Sequence, residues 1–567
     1  MEREENERGE KNMSFTQNFT AVGGSLWLSA LVAIIPILYF FWALAIKKMK
    51  GYVAGFTTLL VALVLAVFAY QMPVATALMS ATQGAVYGLL PIGWIIVTSV
   101  FLYNITVKTG QFNIIRSSVL SITEDRRIQA LLVAFSFGAF LEGAAGFGAP
   151  VAISAALLVG LGFNPLTAAG LCLIANTAPV AFGAIGVPIT AMEGPTGIAA
   201  MEISKMVGRQ LPFLAVFIPF ILVMIMVGFK KTLEVLPAVI VSGVSFAITQ
   251  FLSSNFLGPE LPDVLSALVS LFALALFMKV WQPKTIYRFA SDDEVAAQEE
   301  KYSAGKITLA WSPFIVLTVF ISFWGIPVIK KALIGAYEGD NIVLQGVNVL
   351  GKWLTFYPEV PFLHNLVING ATNEPIPALY KLEILGAAGT AILLAAVVTK
   401  FLFKVKWSMF FSIFASTVNE IKYPLLTICF VVGYSYVTNA AGMMTTLGLV
   451  LAKTGMLFPF FSPVLGWLGV FITGSDTSAN VLFAKLQQVT AGSVGMDPVL
   501  ALAANSSGGV TGKMISPQSI AVAAAAVGLV GRESELLRFT LKYSLWLLLA
   551  ICIMTFLQSN VLSFMIP

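Results

Sequence analysis

Histidine is almost missing from this chain: His364 is the one example in 567 residues. Its isolation removes histidine-ligated metal centres and the Ser-His and Cys-His pairs on which most hydrolases depend. Cysteine is scarce too. Cys172, Cys429 and Cys552 sit apart in apolar segments without CxxC spacing, so neither a disulfide framework nor a thiolate metal site is indicated. Charge is thin: 11% of residues are Asp, Glu, Lys or Arg, where a soluble domain carries roughly a quarter. The net charge of +5 points to no nucleic-acid partner. No metal, cofactor or enzymatic activity is expected.

Apolar sequence is what the chain has in abundance, at 58% hydrophobic residues and a mean hydropathy of +0.89. Runs near 20 residues recur, each long enough to cross a hydrocarbon core of about 30 Å as a helix. Spans are expected at about 24–46, 51–69, 84–106, 128–142, 166–190, 210–228, 233–254, 262–280, 310–329, 384–400, 423–440, 460–473, 499–530 and 543–565. The fold class is therefore an all-α polytopic membrane protein. Its 47 glycines and 26 prolines suit helices that pack closely or break inside the bilayer. Two stretches, 143–165 and 474–497, are too rich in small residues for ordinary spans and read as re-entrant hairpins.

The basic residues set an orientation. Lys47, Lys48, Lys50, Lys108, Arg116, Arg126, Arg127, Lys230, Lys231 and the charged loop from Lys279 to Lys306 fall on one side, expected to be cytoplasmic. A polar tail, 1–23, and an insert, 335–380, fall outside, although Lys330 and Lys331 run against the bias. The tail reads as no cleavable signal peptide.

An internal repeat organises the rest. Gly162-Phe163-Asn164-Pro165 matches Gly495-Met496-Asp497-Pro498, and the pattern A-N-[TS]-x5-G-x4-P is met at Asn176, Gly183 and Pro188 and again at Asn505, Gly512 and Pro517. The first repeat is expected over 24–254, with hairpin 143–165 and broken helix 166–190; a connecting helix and cytoplasmic loop over 255–309; the second repeat over 310–567, with hairpin 474–497 and broken helix 499–530. By the charge rule the span before the first copy runs outside to inside and its counterpart the other way, so the repeats are inverted. That architecture belongs to secondary transporters, which bind substrate where the repeats meet.

Each copy supplies the same kinds of candidate site residue. The breaks should expose half-helix N-termini able to hold a small anion, with Asn176, Thr177, Gly183, Asn505, Ser506, Ser507 and Gly512 beside them. Kinks with local caps are the bland alternative. The tips offer Gly143, Gly146, Gly148, Gly474, Ser475, Thr477 and Ser478, where small side chains let backbone approach a ligand. Each tip also carries one carboxylate, Glu142 or Asp476, a candidate for proton or cation coupling because intramembrane ionisable groups are costly. Lys513 stands alone in an uncharged run, and a substrate carboxylate or Asp476 is its expected partner; snorkelling is the alternative. Gly508 to Lys513 mimics part of a P-loop but lacks the first glycine and the final Ser or Thr, so ATP use is rejected. Glu193, Glu202, Lys205 and Lys485 read as a solvated face.

The stretches FLEGAAGFGAPVAISAALLVGLGFNPL, ANTAPVAFGAIGVPI, FITGSDTSAN and ANSSGGVTGKMISPQSIAVA resemble the L-lactate permease family of bacterial membrane proteins, and the likeness spans nearly the whole chain. The resemblance implies L-lactate, with D-lactate and glycolate, imported with a proton across the plasma membrane. The repeat plan is also similar to the ion-transporter superfamily of elevator carriers, which implies a transport domain sliding on a scaffold, often in a homodimer. A sodium-coupled or other organic-anion carrier is the alternative, and an anion channel the alternative from another class.

Overall fold

The computed structural model describes residues 14–144, 146, 149–289, 302–529 and 532–567. The tail up to residue 13, Gly148 of the first tip and the middle of the charged loop, 290–301, lie outside the described residues.

Among the described residues, eleven helices are long and apolar enough to cross a membrane, twelve if one bent pair counts as a span. The chain opens with α1 (Leu26–Leu44), α2 (Gly51–Phe68) and α3 (Val74–Lys108). Helix α3 is kinked at Leu90, whose extended backbone (φ −134°, ψ 116°) is the conformation a residue before proline prefers. The first repeated unit follows: α4 (Arg126–Ala144), α5 (Ala149–Gly160), α6 (Pro165–Ala175) and α7 (Val180–Thr190). Helices α8 (Leu211–Leu233), α9 (Leu236–Phe256), α10 (Pro262–Val280), α11 (Ala304–Gly325), α12 (Ala388–Leu402) and α13 (Trp407–Ala440) lead to the second unit. After α14 (Met443–Leu451) this unit contains α15 (Phe458–Thr473), α16 (Asp476–Val494), α17 (Pro498–Lys513) and α18 (Pro517–Ala526); α19 (Glu533–Asn560) closes the chain.

Residues 143–165 hold the first tip and only one hairpin arm, α5; the other arm is the preceding span α4. In the second unit α15 and α16 are the arms around Gly474 and Ser475. The third helix of each unit starts by the same local chemistry. Asn164 accepts hydrogen bonds from the backbone N–H groups of Leu166 and Thr167, and Asp497 from those of Val499 and Leu500, with proline at the first helical position in both.

The two breaks differ, and here the sequence expectation needs correction. In the first unit α6 ends at Asn176, and α6 and α7 meet at 63°. In the second, α17 runs unbroken through Asn505, Ser506 and Ser507 to Lys513, and the chain breaks only at 514–516. Its glycines are packing residues: a Cβ on Gly508 would collide with the carbonyl of Pro463 and one on Gly512 with that of Trp467, so the bare backbones let α15 and α17 cross closely. Asn505 and Ser506 bond to side chains of α16, which leaves them no capping role.

The insert forms an outer cover. Its helix Ile342–Trp353 precedes short strands; Val367–Ile368 pairs in parallel with Phe15–Thr16 of the N-terminal segment, and Leu382–Glu383 pairs antiparallel with Thr355–Phe356. Burial pushes the Tyr380 phenol up to about 12, so it stays a donor, and it caps the Leu90 carbonyl at 2.6 Å beside the α3 kink.

Close crossing of α15 and α17 makes a stability prediction. Gly508→Ala should lower stability by about 1–3 kcal/mol through overpacking, read as a lower midpoint in detergent thermal denaturation. Gly492→Ala on α16, where a Cβ meets nothing within 4 Å, should leave the midpoint unchanged or raise it.

Candidate functional site

Both tips and both breaks converge on one cavity of about 80 Å³. One water needs roughly 10–15 Å³ of such space, so the cavity suits a solute of a few heavy atoms. From the first unit come Glu142, Gly146, Gly183 and Ala184; from the second, Gly474 to Thr477, Lys513, Gln518 and Ser519.

Helix ends dominate its wall. Ser475 caps α16 by accepting from Ser478 N–H, which sets Ser475, Asp476 and Thr477 around the first turn. Ser516 caps α18 by accepting from Ser519 N–H, which sets Gln518 and Ser519 there. Two helix N-termini thus turn partial positive charge and free N–H donors toward the same space, an arrangement that favours a small anion. The first unit contributes strained backbone: Ala184, Ile185 and Gly186 all have positive φ (46°, 57° and 73°). Two such non-glycine residues cost of order 1–3 kcal/mol each and persist only where surrounding packing holds them.

Lys513 Nζ donates to Glu142 Oε1 at 2.9 Å, with side-chain exposures of 12% and 3%. The partner expected from sequence was Asp476 or a substrate carboxylate; within the protein it is Glu142. Lys513 ends α17 and Glu142 ends α4, so the pair ties the two units together across 371 residues. Asn176 Nδ2 donates to the other Glu142 oxygen at 3.0 Å, and Gly183 packs beneath it, 2.9 Å from the carboxylate if it bore a Cβ. Asp476 has a parallel setting. Ser506 Oγ and Asn480 Nδ2 donate to its Oδ2 at 2.8 and 3.2 Å, and Gly509 leaves room for its Oδ1. Each tip carboxylate therefore rests on a glycine and takes a hydrogen bond from the matched Asn-Thr or Asn-Ser motif of its own unit.

Asn505, Ser506 and Asn480 belong to a polar thread behind the cavity. Asn505 donates to Asn480 at 2.9 Å and accepts from Gln487 at 3.0 Å, while Asn480 also donates to the Pro188 carbonyl at 3.1 Å, crossing to the first unit. Asn176, Thr177, Ser478, Ser507 and Gly512 are likewise close by but do not line the cavity. Gly143 packs on Asp263, 2.8 Å from Cβ to Cβ if substituted. Asn176 Oδ1, Thr177 Oγ1, Asp476 Oδ1 and Ser507 Oγ are buried without a hydrogen-bond partner among the described residues. Gln518 and Ser519 escaped the sequence reading, though Ser516-Pro517 was a helix-start signal that could have found them. Asp263 escaped as well, disguised as an ordinary acidic residue in the first turn of an apolar span. Of the four charges assigned to a solvated face, Lys205 pairs with Glu202 at 2.7 Å. Glu193 and Lys485 instead line a wider cavity of about 460 Å³ under the insert. The described residues contain no group of three or more His, Cys, Asp or Glu placed to hold a metal ion.

A profile of the family described as L-lactate permease matches residues 29–562. The chain belongs to the L-lactate permease family. It is 70% identical to the L-lactate permease of Bacillus subtilis over 564 residues, covering 98% of this chain and all of that one. It is 52% identical to the glycolate permease GlcA of Escherichia coli (98% and 100% covered) and 52% identical to the L-lactate permease of the same organism (97% and 99%). Among solved structures, the YdaH transporter of Alcanivorax borkumensis aligns over 79% of this chain and 87% of its own at 14% identity, but a TM-score of 0.32 is too low for any topological inference.

For this chain the buried ion pair makes a sharp expectation. Lys513→Met should abolish uptake and lower stability by about 3–5 kcal/mol, because Glu142 is left buried and uncompensated. Adding Glu142→Gln should restore most of the thermal stability without restoring uptake. A double variant no more stable than Lys513→Met would mean that the pair does not carry the destabilisation.

Proposed function

We propose that this chain is a secondary active transporter that imports L-lactate, with D-lactate and glycolate, together with a proton across the bacterial plasma membrane. The observation that carries the reading is the Glu142–Lys513 pair in the wall of a cavity flanked by two helix N-termini. A substrate carboxylate entering there competes with Glu142 for Lys513. Once displaced, Glu142 is a buried carboxylate without a counter-ion, a state costly enough that it takes up a proton. Substrate binding and proton uptake are thereby one event. Asp476, held by Ser506 and Asn480, is the second candidate for the coupled proton, and its unpartnered oxygen and the Thr477 and Gln518 side chains are the groups suited to a 2-hydroxyl.

The relatives' names support the substrate class, since two 2-hydroxy monocarboxylates, lactate and glycolate, appear among them. The size of the cavity supports it too. Lactate has about six heavy atoms, so its binding free energy is limited to about 9 kcal/mol at best, which suits a ligand that must be released quickly. One proton moving with one monocarboxylate carries no net charge, so uptake is driven by about 1.36 kcal/mol per pH unit plus the substrate gradient.

The repeated order of hairpin and broken helix, with opposite charge-rule directions, supports two inverted repeats and, by likeness to elevator carriers, a moving unit that bears both tips, working as a homodimer. The charge rule likewise favours an extracytoplasmic N-terminus and insert.

Uptake of labelled L-lactate into proteoliposomes tests the function. Accumulation under an inward proton gradient, lost when an ionophore collapses it and indifferent to sodium replacement or membrane voltage, is the expected result. Accumulation that follows sodium at fixed pH would replace the proton with sodium; flux that never saturates would replace the carrier with a channel.

A further inference from the structure

Asp263 is a buried acidic residue that the exchange at Lys513 does not use. It stands at the second position of α10, immediately after the loop 257–261 that joins α9 to α10, and its side chain is wholly buried. Neither of its oxygens has a hydrogen-bond partner among the described residues. An ionised carboxylate so placed would be a buried charge with no hydrogen bond to it, which is costly.

Its neighbourhood adds direction. Gly143, the residue after Glu142, has no Cβ because Asp263 occupies that space. Glu142 and Lys513 are the charged groups with which Asp263 interacts electrostatically. The other elements packed on α10 bring no competing charge near it: α9 and α7 contain no titratable residue, and α11 carries only Lys306, in its first turn at the far end of α10. Glu260, three residues back in the loop, has Lys330 and Glu193 as its electrostatic partners. One carboxyl group, without a hydrogen-bond partner among the described residues, thus lies at the loop end of α10 and against Gly143, the residue next to Glu142.

We propose that Asp263 holds a proton in this conformation and is the relay that delivers the coupled proton to Glu142. The inference rests on the proton-coupled reading above. When substrate takes Lys513, the O–H bond of Asp263 breaks and an O–H bond forms on the displaced Glu142; the Asp263 carboxylate, now the unpaired ion, regains a proton from water on the side of the 257–261 loop. Asp263 touches neither substrate nor Lys513, so it governs proton delivery and not affinity. Gly143 positions the relay, because a methyl group there pushes the Asp263 carboxyl away from Glu142.

The test compares three variants with the parent protein in proteoliposomes. Asp263→Asn keeps shape and neutrality but cannot pass a proton; gradient-driven L-lactate uptake should fall at least tenfold and its pH dependence should flatten. Substrate exchange at equal pH on both sides, in which one substrate replaces another while Glu142 keeps its proton, should retain at least half its rate, and half-saturation for exchange should stay within twofold. Asp263→Glu should recover part of the driven uptake, and Gly143→Ala should mimic Asp263→Asn. A merely structural role would lower exchange and driven uptake together. Driven uptake and a pH profile like the parent's in Asp263→Asn would overturn the relay while leaving proton coupling intact. A parent protein that ignores the proton gradient would overturn the coupled reading itself.

Discussion

A lysine and a glutamate buried in an apolar protein must find each other or something equally charged, and the architecture around the cavity depends on that requirement. Lys513 lies in a segment without another charge, and Glu142 is all but excluded from solvent. Neither is tolerable alone at that burial, and each supplies the other's counter-charge. The pair also ties the two units together where they meet. The end of α17 is drawn to the end of α4, and the two tips and both breaks are brought to one place.

Close approach needs absent side chains as much as opposite charges. Gly183 and Gly509 sit under the two tip carboxylates, Gly143 beside Asp263, and Gly508 and Gly512 where α17 crosses α15. Without a hydrophobic driving force between helices in lipid, van der Waals contact of bare backbone and interhelical hydrogen bonds hold such a bundle. The thread from Gln487 through Asn505 and Asn480 to the Pro188 carbonyl supplies those hydrogen bonds between the units. Strain at Ala184 and Ile185 is kept in place by the same packing, and Ala184 lies in the cavity wall.

Much of the site was legible beforehand because its parts have strong local signatures. A glycine-rich tip with one acid and a lone lysine in an apolar run are each unusual, and each contributes to the cavity wall. The location of the second break was not legible. Asn505-Ser506 looks like Asn176-Thr177 in sequence, but one motif ends a helix and the other sits inside one, since Asn505 and Ser506 find partners on α16 and Asn176 finds Glu142. Hydrogen-bond partners far along the chain outweigh local resemblance, and no spacing rule carries that information.

The sequence by itself determined that this protein is a polytopic membrane protein, that one gapped motif occurs in it twice, and that it belongs with the L-lactate permeases. Those properties follow from composition, periodicity and motifs, which are written along the chain. Only the tertiary structure decided that Lys513 is held by Glu142, that Asp263 is packed against Gly143 with no hydrogen-bond partner among the described residues, and that Gln518 and Ser519 share a cavity wall with Asp476. Each of these depends on which buried groups are left to satisfy one another once the helices have packed, and that is a property of distances across the fold.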